Sequence, residues 1–207
     1  MRNRGFTLIE LVVTMGIMAV ITAVTLANHS KFGGQVMLRN LAYEMALVVR
    51  EAQTYGVSVR KIADSNINDF EAGYGMHFDI TDTTHYKMFT DTYKHVGGSD
   101  IRAVNGDGDG LYTTPLEEVL EYTIGRGYKM NKLYGLNDGG IKNDAINCPS
   151  GKEVLDIVFN RPEPDAIIRL CGDASTIYRA AEVELISPRG DIMRVLIEVS
   201  GQISVTK

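Results

Sequence analysis

The stretch RGFTLIELVVTMGIMAVITAVTLA, residues 4–27, carries more information about the fold than any other part of this chain. Two arginines, Arg2 and Arg4, precede a nearly continuous apolar run. At about 1.5 Å of rise per residue, a helix from Phe6 to Ala27 reaches roughly 33 Å, which is enough to cross a hydrocarbon core of roughly 30 Å. The positive-inside rule keeps the leading arginines in the cytoplasm. The sequence therefore predicts one membrane helix, with everything after about residue 30 exported.

A secretory signal peptide is the main alternative for this segment. It requires a shorter apolar region followed by a small-residue cleavage site, and the residues around Ala23 to Ala27 offer weak candidates. That interpretation leaves Glu10 unexplained, since this acid lies inside the apolar run. An ionisable residue within a membrane segment costs about 2.5–3.5 kcal/mol and indicates a functional position.

The residues from Arg4 to Glu10 resemble the cleavage signal of type IV prepilins and type II secretion pseudopilins. The resemblance implies that residues 1–5 are a leader, which a prepilin peptidase removes by cleaving between Gly5 and Phe6. It also implies N-methylation of the new terminal Phe6. Glu10 then occupies the fifth position of the mature chain, where the family carries its acid.

The same residues suggest how subunits assemble. Cleavage gives Phe6 a free amine, and the Glu10 carboxylate of a neighbouring subunit can pair with it. Opposite charges attract much more strongly in a low dielectric than in water, so such a pair offsets the cost of burying both. We therefore expect Phe6 and Glu10 to set the stagger between subunits.

The resemblance implies an α+β fold in which a long N-terminal helix packs on an antiparallel β-sheet head. Residues 28–56 fit this expectation as an amphipathic helix that continues into the head. Its apolar residues recur in steps of three and four, which is typical of one buried stripe. They are Leu38, Leu41, Met45, Val48, Ala52 and Tyr55.

Residues 57–207 are expected to form a β-rich head outside the cytoplasm. Alternation and turn residues predict a hairpin of Gly73–Ile80 and His85–Phe89. Further strands are predicted at residues 154–160, 166–171, 177–186, 192–200 and 202–205. A Gly/Asp/Asn-rich region at about 95–150 is interpreted as a loop insertion with short elements near 119–122 and 132–136.

Two features favour a minor subunit. Many major pilins carry a proline near the end of the apolar helix, whereas this chain has Ala27 and Asn28 there. In addition, the segments 38–59 and 197–205 are similar to those of H-type minor pseudopilins and competence-type minor pilins.

Both cysteines, Cys148 and Cys171, lie in the part of the chain that would be exported. An oxidising compartment favours a disulfide between them, which in the chain-entropy model contributes roughly 3 kcal/mol. Two buried free thiols are the alternative.

The segment NGDGDG, residues 105–110, places oxygen ligands at alternate positions and resembles the first half of a calcium loop. Candidate Ca²⁺ ligands are Asn105, Asp107, Asp109 and Glu117, although the acid falls one residue later than in an EF-hand. A solvated turn is the alternative. The nearby histidines His77, His85 and His95 lack the spacing of a transition-metal site and are expected to be surface residues of the hairpin.

The sequence contains no nucleophile elbow, phosphate-binding loop or zinc-protease motif, so we do not expect an enzyme. The formal charge of −5 becomes −7 when Arg2 and Arg4 are lost with the leader, which argues against nucleic acid as a partner.

The expected function is that of a structural subunit of a type IV pilus, a competence pilus or a type II secretion pseudopilus. Its expected partners are other pilin or pseudopilin subunits, the prepilin peptidase, the inner-membrane assembly platform, and membrane lipid before assembly. We expect the chain first in the inner membrane, with its leader inside, and then in a filament in the periplasm or at the cell surface. The alternative is a membrane-anchored binding protein, with calcium as a candidate ligand, that never polymerises.

Overall fold

The computed structural model describes residues 5–58, 72–96, 99–102, 108–113 and 117–207, and it describes side chains outside 27–32 and 93–102. The chain divides into two compact units, Met1–Met37 and Leu38–Lys207.

Helix α1 is assigned to Leu8–Val57. It begins directly after Thr7, whose hydroxyl accepts a hydrogen bond from the Glu10 backbone N–H, as an N-cap residue does. Gly56 lies one residue before its end, close to the predicted stop.

Of the six residues predicted for the amphipathic stripe in the second part of α1, four are buried and two, Leu41 and Tyr55, are half-buried. Within the unit Leu38–Lys207, the side chains of Leu38, Met45, Val48 and Ala52 are buried. The end of the helix packs closely on the head, because the ring of Tyr55 contacts that of Tyr74 edge to face at 5.6 Å.

Two five-stranded antiparallel sheets form most of the head. The strands of sheet 1 are β1 (Gly73–Asp79), β2 (His85–Asp91), β5 (Glu118–Thr123), β8 (Val154–Phe159) and β9 (Ala166–Leu170). The strands of sheet 2 are β6 (Lys129–Leu136), β7 (Lys142–Asp144), β10 (Ala180–Ile186), β11 (Ile192–Glu198) and β12 (Ile203–Thr206). The strand order is β5-β2-β1-β8-β9 in sheet 1 and β12-β11-β10-β6-β7 in sheet 2. A separate ribbon pairs β3 (Tyr93–Val96) with β4 (Ser99–Arg102).

Side chains alternate across sheet 1, as expected for strands. Met76 pairs with Met88 on one side and with Ile157 on the other, and all three are fully buried on the core face. The opposite face carries the row Lys87, His77 and Asp156. This second face is where the polar groups of the head collect.

The α+β class and the hairpin β1–β2 are confirmed, but the head contains two sheets where we expected one. The region interpreted as a loop insertion also contributes to the core. Strand β6 lies inside sheet 2, paired with β10 and β7, and its residues Met130 and Leu133 are fully buried. The short element predicted near 132–136 is the second half of β6. Glycine and asparagine in and around the strand hid its full length, because they weaken the alternation by which a strand is recognised.

Candidate functional site

The predicted cleavage point lies at the edge of the described chain. Gly5 and Phe6 precede α1, residues 1–4 lie outside the described residues, and the Phe6 side chain is 78% exposed. A methyl group placed on Gly5 would meet no atom within 4 Å. Neither residue is held by the described part of the fold, so a peptidase would meet an uncovered segment here.

Glu10 lies in the first turn of α1, and its side chain is exposed. The Thr7 hydroxyl donates a long hydrogen bond of 3.5 Å to the Glu10 carboxylate and accepts one from the Glu10 N–H. Residues 7–10, Thr-Leu-Ile-Glu, thus have the spacing of a capping box. The Thr7 hydroxyl is therefore the capping group, and the pairing of Glu10 with a neighbouring subunit stays a prediction.

The segment Leu8–Leu26 is long and apolar enough to cross a membrane, and none of it is buried within the chain. Such a surface needs a partner, because exposed apolar groups in water are unfavourable. A membrane would cover it, since Leu8–Leu26 is long enough to cross the hydrocarbon core.

The predicted disulfide between Cys148 and Cys171 is confirmed. Cys148 directly follows a short 3-10 helix, Ala145–Asn147, that Asp144 caps. On the other side, the Cys171 carbonyl accepts a hydrogen bond of 2.6 Å from the Ser150 hydroxyl. The bond therefore ties the end of β9 to the loop that precedes β8.

Only half of the predicted calcium ligands can be located. Asn105 and Asp107 lie outside the described residues, whereas Asp109 and Glu117 lie within them. Glu117 is buried, and its two carboxylate oxygens accept hydrogen bonds from the Thr92 N–H at 2.6 Å and the Thr113 N–H at 2.7 Å. In the described part of the chain, no three His, Cys, Asp or Glu side chains are arranged to hold a metal ion.

A further acid of this region, Asp91 at the end of β2, was not among the predicted calcium ligands. It is 1% exposed and accepts the Gly110 N–H with both carboxylate oxygens, at 3.2 and 3.1 Å. Burial, and then the nearby charge of Glu117, raise the pKa of Asp91 to about 8. The sequence does show that Asp91 stands at the end of the alternating residues of β2. Alternation does not reveal, however, that the segment around Gly110 covers the Asp91 side chain.

His77 is not the surface residue that the sequence led us to expect. Its Nδ1 lies 2.6 Å from Oδ1 of Asp156, which is only 2% exposed, and the ring of Tyr112 lies 4.4 Å away. The tertiary fold creates this pair because Asp156 belongs to β8, which pairs with β1. The His95 side chain lies outside the described residues.

Lys87 completes the polar row on this face. Its ammonium group donates to the Glu118 carboxylate at 2.7 Å and lies 5.7 Å from the centre of the Tyr112 ring. The hydrogen bond raises the pKa of Lys87 and lowers the pKa of Glu118. Together these contacts hold the segment that contains Tyr112 on sheet 1.

Residues 1–26 match the family described as "Prokaryotic N-terminal methylation motif". No curated protein and no solved structure matches the chain. The match covers residues 1–5, Phe6, Glu10 and the exposed apolar helix, and these features fit a protein anchored in the inner membrane by a single N-terminal helix with a folded head. The motif supports a type IV pilin-like family for this chain.

Proposed function

We propose that this chain is a structural subunit, a pilin or pseudopilin, of a type IV pilus, competence pilus or type II secretion pseudopilus. The observation that carries the proposal is an acid, Glu10, in the first turn of an apolar helix whose span Leu8–Leu26 is uncovered by the rest of the chain. A simple membrane anchor has no need of this acid, because ionisable residues within an apolar span are costly. A filament core supplies the partner that the acid needs.

In this proposal the prepilin peptidase cleaves between Gly5 and Phe6, and Phe6 is methylated. The resulting amine remains a cation and pairs with Glu10 of a neighbouring subunit, which offsets the burial of both charges. The membrane lipid around Leu8–Leu26 is then exchanged for the helices of other subunits. An inner-membrane assembly platform and a motor, supplied by other proteins, would extract the subunit.

We further propose a minor rather than a major subunit. The chain has Ala27 and Asn28 where many major pilins have a helix-kinking proline, and its segments 38–59 and 197–205 are similar to those of H-type minor pseudopilins.

Mass spectrometry of sheared, purified filaments from the native organism tests the proposal. We expect a peptide that begins at methylated Phe6, in low abundance relative to the main subunit. The same peptide in high abundance would make the chain a major subunit. A chain that stays in the membrane fraction with residues 1–5 attached would contradict the filament role.

Variants at the start of α1 separate charge from helix capping. We expect Glu10→Gln and Glu10→Leu to insert in the membrane but to be absent from filaments, because both lack the charge that pairs with Phe6. Thr7→Val is the matched control, since it removes the capping hydroxyl and keeps the charge. Filaments that contain normal amounts of Glu10→Gln would rule out pairing through the carboxylate. If Thr7→Val is also absent from filaments, helix capping rather than charge would explain the result.

A membrane-anchored calcium-binding protein is the second candidate. It is favoured by the two buried carboxylates Asp91 and Glu117 beside residues 108–110, whose mutual repulsion a cation would relieve. Asn105, Asp107 and Asp109 would supply further oxygen ligands. Asp91 is added to the predicted set because it accepts the Gly110 N–H.

Calcium titration of the full chain in detergent micelles at pH 7.5 tests this candidate. Millimolar Ca²⁺ is expected to raise the midpoint of thermal unfolding, and Asp91→Asn is expected to remove the effect. Asp165→Asn is the control, because Asp165 is an exposed acid outside this region. An equal response of wild type and Asp91→Asn would exclude a site at these residues, and binding together with an uncut leader would favour the anchored protein over the filament subunit.

A further inference from the structure

A cavity of about 350 Å³ lies over the face of sheet 1 that carries the row Lys87, His77 and Asp156. Its wall also contains the turn between β1 and β2, the segment with Leu111 and Tyr112, and the residues Lys152 and Gly172 on either side of the disulfide-linked loop. The volume is within the range of about 300–1,000 Å³ that is usual for small-molecule sites. Neither the N-terminal motif nor the predicted calcium loop accounts for this cavity.

Most charged groups in the wall are already paired within the protein. Asp156 is bound to His77, and Lys87 is bound to Glu118. Asp82 accepts from the Thr84 N–H and hydroxyl and is bound to Nδ1 of His85 at 2.9 Å. These groups give the cavity a fixed polar wall but offer little charge to a ligand.

Two charged groups remain available. Lys152 is exposed, and its ammonium group forms no hydrogen bond or ion pair with the described residues. Its aliphatic chain runs along Gly172, where an added Cβ would lie 2.9 Å from Cδ of Lys152, so glycine makes room for it. Asp79 accepts the Thr81 N–H and hydroxyl with Oδ1 alone, which leaves Oδ2 unbound within the described chain.

These two groups lie at the same side of the cavity. Asp79 pairs with Val154 across β1 and β8, and Lys152 precedes Val154 by two residues. They form no ion pair with each other, so one positive and one negative group face the cavity separately. A ligand that carries a carboxylate and an ammonium group can contact both, whereas a ligand with one charge would leave the other group to solvent.

We propose that this cavity binds a small zwitterion of the class of free α-amino acids. The ligand carboxylate contacts Nζ of Lys152 and the ligand ammonium group contacts Oδ2 of Asp79. His77 and His85 have Nδ1 bound to aspartates, so their Nε2 atoms remain to accept or donate a hydrogen bond to a polar side chain of the ligand.

Thermal unfolding of the full chain in detergent micelles, with each of the twenty common L-amino acids at about 20 mM and constant ionic strength, tests the proposal. We expect at least one to raise the unfolding midpoint by about 5 °C, which corresponds to a ligand at roughly twenty times its Kd. The amide and the N-acetyl derivative of that amino acid each lack one charge and are expected to shift the midpoint by less than about 1 °C.

Variants of the cavity wall test whether the amino acid binds in the cavity. We expect Lys152→Gln and Asp79→Asn each to weaken the affinity at least about tenfold, and in the second variant the asparagine amide oxygen can still accept the Thr81 N–H, so that the turn is kept. Lys129→Gln and Asp138→Asn, exposed residues outside the cavity wall, are matched controls and should bind as wild type does. The proposal is overturned if no amino acid raises the midpoint, if the singly charged derivatives bind equally well, or if the cavity variants retain wild-type affinity.

Discussion

Asp91 is a buried carboxylic acid whose surroundings favour its neutral form. Burial and the neighbouring charge of Glu117 raise its pKa on folding from an ordinary 3.8 to about 8. The folded chain therefore binds a proton that the unfolded chain has released at neutral pH. This contribution to stability is complete below about pH 4 and is lost as the pH rises towards 8.

We expect Asp91→Asn to reduce this loss. The free energy of unfolding of wild type should fall between pH 5 and pH 8 by up to about 1.4 kcal/mol per pH unit from this residue, whereas the variant should lack this part of the pH dependence. The asparagine oxygen can still accept the Gly110 N–H. Urea unfolding of the calcium-free chain at both pH values measures the effect, with Asp165→Asn as control. An equal fall in the free energy of unfolding of wild type and Asp91→Asn would show that Asp91 is not the source of the pH dependence.

Gly75 is a single residue on which the packing of sheet 1 depends. A Cβ placed there would lie 2.6 Å from the Ile157 carbonyl oxygen and 2.8 Å from the Phe89 ring. We expect Gly75→Ala to destabilise the head by about 1–3 kcal/mol through overpacking. Gly139→Ala is the control, because its nearest neighbour would be 3.5 Å away. Denaturant unfolding of both variants checks the prediction, and equal stability would show that Phe89 can move aside.

Among the elements of the head, the disulfide fixes how β9 meets the loop before β8. The two cysteines are 23 residues apart, and replacing both with serine should lower the free energy of unfolding by roughly 3 kcal/mol. Urea unfolding with and without a reducing agent tests this. Reduction should affect wild type by a similar amount and leave the double serine variant unchanged, and a reducing agent that destabilises both equally would show that it acts elsewhere.

Helix α1 shows how two parts of one element differ in what they require. The part Leu8–Leu26 has no buried residue, whereas the part that follows Met37 buries Leu38, Met45 and Ala52 in the core of the head. The apolar side chains of the first part are therefore suited to contact lipid or other chains. Those of the second part are suited to pack in the core of their own chain.

Taken as a whole molecule, the protein concentrates its core in one unit, since Leu38–Lys207 contains every described side chain that is buried. We expect a chain that begins at Val36 to remain soluble and to fold without detergent. Its free energy of unfolding, measured with urea, should be within about 0.5 kcal/mol of that of the head in the full chain, because no described side chain before Leu38 is buried. Aggregation or loss of the cooperative transition would show that the preceding residues contribute to the stability of the head.

The features of the N-terminus could be predicted from the amino-acid sequence without any coordinates. The membrane helix, Gly5, Phe6 and Glu10 follow from residues that are close together in the chain, and the stripe from Leu38 to Ala52 follows from helical spacing. The hairpin β1–β2 was predictable for the same reason, since its pairing is local.

Only the tertiary structure shows which residues that are distant in the sequence contact each other. Sheet pairing places Asp156 of β8 beside His77 of β1, and the segment around Gly110 covers Asp91, although neither contact leaves a periodic pattern. For β6 the sequence predicted only a short element near 132–136, and its pairing with the distant strand β10 became known from the fold. Local periodicity reports which face of an element is buried, whereas the cavity and the raised pKa of Asp91 depend on what that face is buried against.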